Sequence, residues 1–272
     1  MRPFALIAVM SLAACPSSRG PTSAAPVMPQ AVRLIPDTAR YHLTLRQRVE
    51  QTVRDQPMVS TLRRDLWVAA ELTPADGGLG ARWVLDSLTV EAPGGPFGPP
   101  ETATAPGSTY HAIVLEGRGV SRVELDRERT DLLAAVGEQL RGLLPRLPAG
   151  GARIGASWTD TTEHDRRAGG LAVTTTTVSR RHAAGWTTWS DTPALEIVSD
   201  GDYILTGRGE QAGQPIELEG TGRRHARHYL DPSGRLLGGI GSDSVTLEVR
   251  LVAGGLVIPV RQWSADTVEA RR

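Results

Sequence analysis

A mainly β, α+β fold is predicted by three features: 30 Gly and 19 Pro in 272 residues, long runs of apolar/polar alternation, and a single stretch of helical spacing. The expected architecture is a set of curved antiparallel sheets forming two half-barrel-like lobes, with one amphipathic helix between them. Strict alternation favours antiparallel sheets that bury one face only.

The elements follow in order. Tyr41, Leu43, Leu45, Val49 and Val53 share one face of a strand, with His42, Thr44, Arg46, Arg48 and Glu50 on the other or at its margin. Leu62, Leu66, Val68, Ala70 and Leu72 repeat the period, and Asp76-Gly77-Gly78 supplies a turn that returns the chain over 82–91. The Pro/Gly-rich stretch 92–107 reads as a loop, a lid or a disordered excursion. Residues 110–116 and 120–126 form a hairpin pair about Gly117–Gly119. Leu132, Leu133, Val136, Leu140, Leu143 and Leu144 then recur at three and four, predicting a helix over 130–144, capped by Thr130 or Asp131 and stopped by Pro145. Strands are expected over 157–164, 171–182, 194–207, 215–230, 236–252 and 256–269, with turns at Asp231-Pro232-Ser233-Gly234 and Gly254-Gly255.

Composition narrows the function classes. Thirty basic and 30 acidic residues leave no excess charge for nucleic acid, and no nucleic-acid partner is expected. Lys and Asn are absent, which removes a Walker lysine, a Schiff base and a catalytic Asn. At the N-terminus Arg2, the apolar run Phe4–Met10 and Leu12-Ala13-Ala14-Cys15 have the layout of a secretory signal, too short to span a membrane. Leu12-Ala13-Ala14-Cys15 resembles the lipobox of bacterial lipoproteins, and Cys15 is the only cysteine. The resemblance implies cleavage before Cys15 and attachment of palmitate-type acyl chains to its thiol. Pro16, where an Asp is associated with inner-membrane retention, implies sorting to the outer membrane, facing the periplasm. One cysteine also excludes a disulfide within the chain.

The expected organisation is a signal peptide over 1–14, a lipidated Cys and flexible tether over 15–36, an N-terminal β lobe over 37–128, a linking helix over 129–148 and a C-terminal β lobe over 149–272. The segments Leu144-Pro145-Arg146-Leu147-Pro148 and Arg153-Ile154-Gly155-Ala156-Ser157-Trp158 resemble the junction of an uncharacterised family of β-rich bacterial envelope lipoproteins; the turn from Leu230 to Leu236 is similar to a later turn of that family. The resemblance implies an exported lipoprotein and carries over no catalytic residue. The half-barrel-plus-helix plan is also similar to that of lipoprotein carriers, which cradle acyl chains between sheet and helix.

The candidate chemistry reduces to few positions. His225 and His228, three apart on a strand, point to opposite faces and make a poor chelate. Glu163-His164-Asp165 reads as a solvated strand end or turn. Asp200-Gly201-Asp202 lacks the further ligands of a calcium loop and reads as a turn. Glu217 and Glu219 have a spacing compatible with paired carboxylates, but alternate with Ile216 and Leu218 as an outer polar face does. Ser242-Asp243-Ser244 lacks the nucleophile elbow and reads as a hairpin turn; Gly117-Arg118-Gly119 opens a strand, so it is no dinucleotide loop. No metal, cofactor or catalytic residue is expected. Trp158, Trp186 and Trp189, the last two in a connection between strands, are candidates to seal a core or wall a ligand pocket. Gly220 and Gly222 either leave room for a ligand on a concave face or permit a bend. The expected role is non-catalytic binding of an apolar or lipid-like ligand. The alternatives are a structural module docking envelope proteins through edge strands, and a periplasmic hydrolase.

Overall fold

The computed structural model describes residues 28–92, 99–168, 170–211 and 213–271. The leader, Cys15 and most of the expected tether lie outside them. The elements are β1 (Ala31–Val32), β2 (Asp37–Val53), β3 (Gln56–Ala75), β4 (Gly78–Glu91), α1 (Pro99–Thr104), β5 (Thr109–Leu115), β6 (Gly119–Val120), β7 (Glu124–Leu125) and α2 (Asp131–Arg141). There follow β8 (Ala152–Arg153), β9 (Ser157–Ala168), β10 (Leu171–Trp189), β11 (Thr192–Gln211), β12 (Gln214–Leu230), β13 (Leu236–Leu251) and β14 (Leu256–Arg271). The chain is mainly β, as its alternation predicts.

The two β blocks form one curled antiparallel sheet of 12 strands, in the order β6-β5-β4-β3-β2-β14-β13-β12-β11-β10-β9, with β7 also on β5. The join is the pairing of β14 with β2, from Val260 opposite Gln51 to Arg271 opposite Arg40. Two half-barrel-like lobes were expected, and no local signal marks the pairing that joins these strands, some 200 residues apart. Two hairpins close without glycine: both residues of Arg54-Asp55 and of Ser190-Asp191 have positive φ, the geometry whose twist matches the flanking strands.

Several expectations are corrected. Residues 99–104, taken as loop, form α1, and the Leu85 amide donates to the Ser108 carbonyl while the Leu85 carbonyl accepts from the Gly107 amide, which ties the following turn to β4. Within 120–126 only two short bridges form, because Ser121 breaks the ladder and its Oγ accepts from the Ile113 amide. The helix is shorter than 130–144: Thr130 Oγ1 caps the Leu133 amide at 3.2 Å and Gly142 ends it. The tether is structured before residue 36, since β1 pairs with β8 and Val32 is buried.

Helix α2 spans the gap between the two ends of the sheet. The Tyr110 hydroxyl on β5 donates to the Leu133 carbonyl at 3.1 Å, while His164 Nε2 on β9 lies 3.0 Å from Glu138 Oε2. Residues 133 and 138 are roughly 7.5 Å apart along a helix, so the sheet has curled until its ends nearly meet. The inner stripe Leu132, Leu133, Val136 and Leu140 is buried against Leu43, Leu66, Val68, Trp83 and Leu85 in one cluster. The segment after α2, with Leu143, Leu144, Leu147 and Ala152 also buried, closes the base of the cup. Beside it, the β12–β13 turn is fixed by Asp231, whose Oδ1 accepts from the amides of Ser233, Gly234 and Arg235.

Candidate functional site

Cross-strand register sorts the inner face of the sheet into layers. The base layer is apolar and filled by α2. Above it run two polar rows. One reads Trp158, Arg181, Ser199, Ala226, Gly241, Asp266, Leu45, Arg64; the other reads Asp160, Ser179, Gly201, Arg224, Asp243, Ser264, Gln47, Leu62. Further out the face turns apolar again, through Leu205, Leu247 and Val260, then Val173, Leu218, Val249 and Ile258. None of these outer residues belongs to the cluster beneath α2, and Leu218, Leu247, Val249 and Ile258 are only half-buried.

The polar rows are tied to the helix and its following segment. Asp160 takes both Arg146 and Arg181 as ion-pair partners. Burial pulls the Arg181 guanidinium down to about 10, helped by the neighbouring charges of Arg146 and Arg224. His228 points inward and meets the Gly142 carbonyl at 3.4 Å; burial lowers its pKa to about 4, so the imidazole is neutral at physiological pH. Tyr203 donates to Asp243 Oδ1 at 2.7 Å. Desolvation raises the carboxyls of both Asp243 and Asp266, and nearby Arg224 opposes the rise. Arg64 is 6% exposed, the most deeply buried charge of the set, and its Nε has no hydrogen-bond partner.

The residues singled out from sequence scatter over this plan. Trp158 and Trp186 pack against the main cluster at the base, which is the sealing role. Trp189 lies on the opposite side of the sheet, stacked on Tyr229 at 4.2 Å in a small cluster with Ala194 and Leu237. Trp186 and Trp189 belong to β10 itself, which runs on to a tight turn, so no connection carries them. Gly220 and Gly222 do face inward, but their space is taken: Leu247 Cβ would lie 2.6 Å from a Cβ at Gly220, and the Tyr203 ring covers Gly222. Neither glycine holds a vacant pocket.

Two expected turns, and a segment expected as a solvated strand end or turn, lie within strands. Glu163-His164-Asp165 sits within β9, with its carboxylates outward and His164 turned in to Glu138 and Arg141. Asp200-Gly201-Asp202 lies within β11, and Ser242-Asp243-Ser244 within β13. His225 faces outward to Asp200 at 2.8 Å, away from His228. Glu217 and Glu219 line a shallow outer cavity of about 440 Å³ with Arg208, Glu248 and Arg250. Among the described residues, no group of His, Cys, Asp or Glu side chains is arranged to hold a metal.

Sequence reading missed the polar rows and the apolar rows beyond them as a site. The signal for Arg64 was present: Leu62, Arg64 and Leu66 share a face, so an arginine stands in an otherwise apolar stripe.

No protein-family model and no curated protein matches this chain. Among solved structures it is similar to Pseudomonas aeruginosa OccK2 (OpdF), at 8% identity and TM-score 0.29, covering 87% of this chain and 98% of that one. It is also similar to OmpT of Vibrio cholerae, described as an outer membrane protein, in a loop-deletion mutant at 9% identity and TM-score 0.23, covering 87% and 99%. Such likeness extends to long antiparallel strands and no further. A membrane-spanning barrel presents an apolar outer band to lipid. The outer face of this sheet carries Arg48, Asp65, Asp202, Glu217, Arg223 and Arg250, and an Arg facing lipid at mid-bilayer costs about 2–4 kcal/mol. Among the described residues no helix is long and apolar enough to cross a membrane.

Proposed function

We propose that this chain is a non-catalytic envelope lipoprotein that holds an apolar or lipid-like ligand in the outer half of its curled sheet. The observation that carries the reading is the layering of the inner face: half-buried Leu218, Leu247, Val249 and Ile258 lie beyond the helix-filled base, while the outer face is charged. Apolar surface on the inner side of a curled sheet favours an apolar occupant by about 25 cal/mol for each Å² removed from water. The ligand seat thus lies further from α2 than the carrier analogy implies, since the helix–sheet interface is filled. In this reading the N-terminal and C-terminal strands act as two half-barrel walls of one trough. Cys15, acylated after cleavage of the leader, ties the trough to the outer membrane on its periplasmic side. Docking by strand addition is the weaker reading, because the free edge strand β9 carries Glu163, Asp165, Arg166 and Arg167, charges of the kind that discourage pairing.

Mass spectrometry of the chain purified without detergent is expected to find a co-purifying lipid. Leu247→Glu is expected to lower retention of that lipid by at least about tenfold, through the cost of placing a charge in an apolar seat. Cys15→Ser is expected to abolish palmitate labelling and release the protein from membranes. Lipid-free protein that takes up no fluorescent fatty acid removes the binding role; labelling unchanged in Cys15→Ser removes the anchor.

A further inference from the structure

Among the described residues Arg64 is the most deeply buried charge on the inner face, and no ion pair is formed with it. It lies on β3, directly opposite Leu45 on β2 and Val90 on β4, so its cross-strand neighbours are apolar. Among the described residues no carboxylate forms an ion pair with it, and its buried Nε makes no hydrogen bond. The groups nearest in register or charge supply no ion pair. The Tyr110 hydroxyl, the titratable group whose charge bears on Arg64, donates to the Leu133 carbonyl at 3.1 Å, and burial keeps the phenol neutral, so it offers the guanidinium no counter-charge. Asp266 lies on the same cross-strand row but on β14, with Leu45 between.

Burying a guanidinium costs several kcal/mol unless an anion and hydrogen bonds compensate it. Among the described residues Arg64 has no ion-pair partner and its Nε no hydrogen bond, and an oxyanion from a bound molecule would supply both. The outward direction from Arg64 leads through Leu62 and Val49 to the apolar rows that end at Leu251 and Leu256. From the Arg64 row to that rim is five two-residue steps, roughly 33 Å at about 3.3 Å per residue. A charged floor joined to an apolar wall matches an amphiphile with one anionic end.

We propose that Arg64 is the headgroup anchor of the ligand site, pairing with the carboxylate or phosphate oxygens of a molecule whose acyl chain lies along the apolar rows. The planar guanidinium presents donors in a fork that suits either oxyanion. This inference rests on the apolar-ligand reading above and adds the chemistry of the polar end.

The test uses the full chain carrying Cys15→Ser to keep it in solution, titrated with palmitate, lysophosphatidic acid, 1-hexadecanol and inorganic phosphate. Palmitate and lysophosphatidic acid are expected to bind at least tenfold more tightly than hexadecanol, and inorganic phosphate alone not measurably at millimolar concentration. Arg64→Met is expected to erase the preference for the anion while hexadecanol still binds, and to melt no lower than the parent, because it removes an unpaired buried charge. Arg64→Gln, which keeps a donor but no charge, gives the same loss of preference if the Met variant does not fold. Equal binding of palmitate and hexadecanol by the parent chain overturns the anchor and leaves the apolar site standing. Binding of inorganic phosphate as tight as that of palmitate overturns the acyl part of the inference. Failure of every amphiphile to bind overturns the proposed function itself.

Discussion

The inner-face carboxylates show how one side chain can work against the fold that holds it. Asp266 forms no ion pair among the described residues, and desolvation, opposed only by the charge of nearby Arg224, raises its pKa above that of an unfolded aspartate. A raised carboxyl binds its proton more tightly in the folded state. The penalty is therefore fully present above the folded pKa and is relieved as pH falls toward the unfolded one. Asp231 has the opposite sign: desolvation would raise it, but the hydrogen bonds from Ser233, Arg235 and Gly234 win and hold it low, so its contribution is lost as pH falls through its folded pKa. Asp266→Asn keeps the shape and deletes the penalty. Thermal melts are expected to place this variant above the parent at pH 7, each kcal/mol of relief reading as about 2–4 °C at this chain length. The gap is expected to narrow as pH falls through the folded pKa of Asp266 and to close below the unfolded one. A variant that melts lower at pH 7 shows that the charge is answered in the folded state.

Helix α2 joins the two ends of the sheet, so its buried stripe is where one element governs the curl. Leu140 is fully buried in the main cluster, and Leu140→Ala is expected to cost about 2–5 kcal/mol in chemical denaturation, against the few tenths typical of an exposed helix position. The stripe was legible because Leu132, Val136 and Leu140 keep a strict helical period. The long strands were legible for the same reason wherever one face is apolar, as in Val245, Leu247, Val249 and Leu251. Legibility fails at the polar rows. Ser242-Asp243-Ser244 and Asp200-Gly201-Asp202 have polar or small residues on both faces, so the period of two vanishes and each segment looks like a turn. The rows that make the candidate site distinctive are the ones that erase its strand signal. The tight turns at Arg54-Asp55 and Ser190-Asp191 lack glycine, and were hidden likewise.

At the scale of the molecule, the decisive contact is the seam between the last strand and the first long one. Val268 on β14 faces Leu43 on β2 and Gly239 on β13, and both Val268 and Leu43 are buried in the main cluster. Since β2 carries β3 and β4, and β13 carries the strands out to β9, stability passes between the halves through this ladder as well as through α2. A proline at position 268 removes a ladder donor in mid-sheet, where a central strand does not tolerate it. Amide hydrogen exchange in Val268→Pro is expected to lose protection in β3 and β11 together, on opposite sides of the seam. Two lobes that fold independently give a different result, because a lesion in β14 would then leave β3 as protected as before. Joint loss means that the trough walls rise and fall as one cooperative unit, so a ligand spanning them stabilises both; its saturation is expected to raise a single melting transition by mass action.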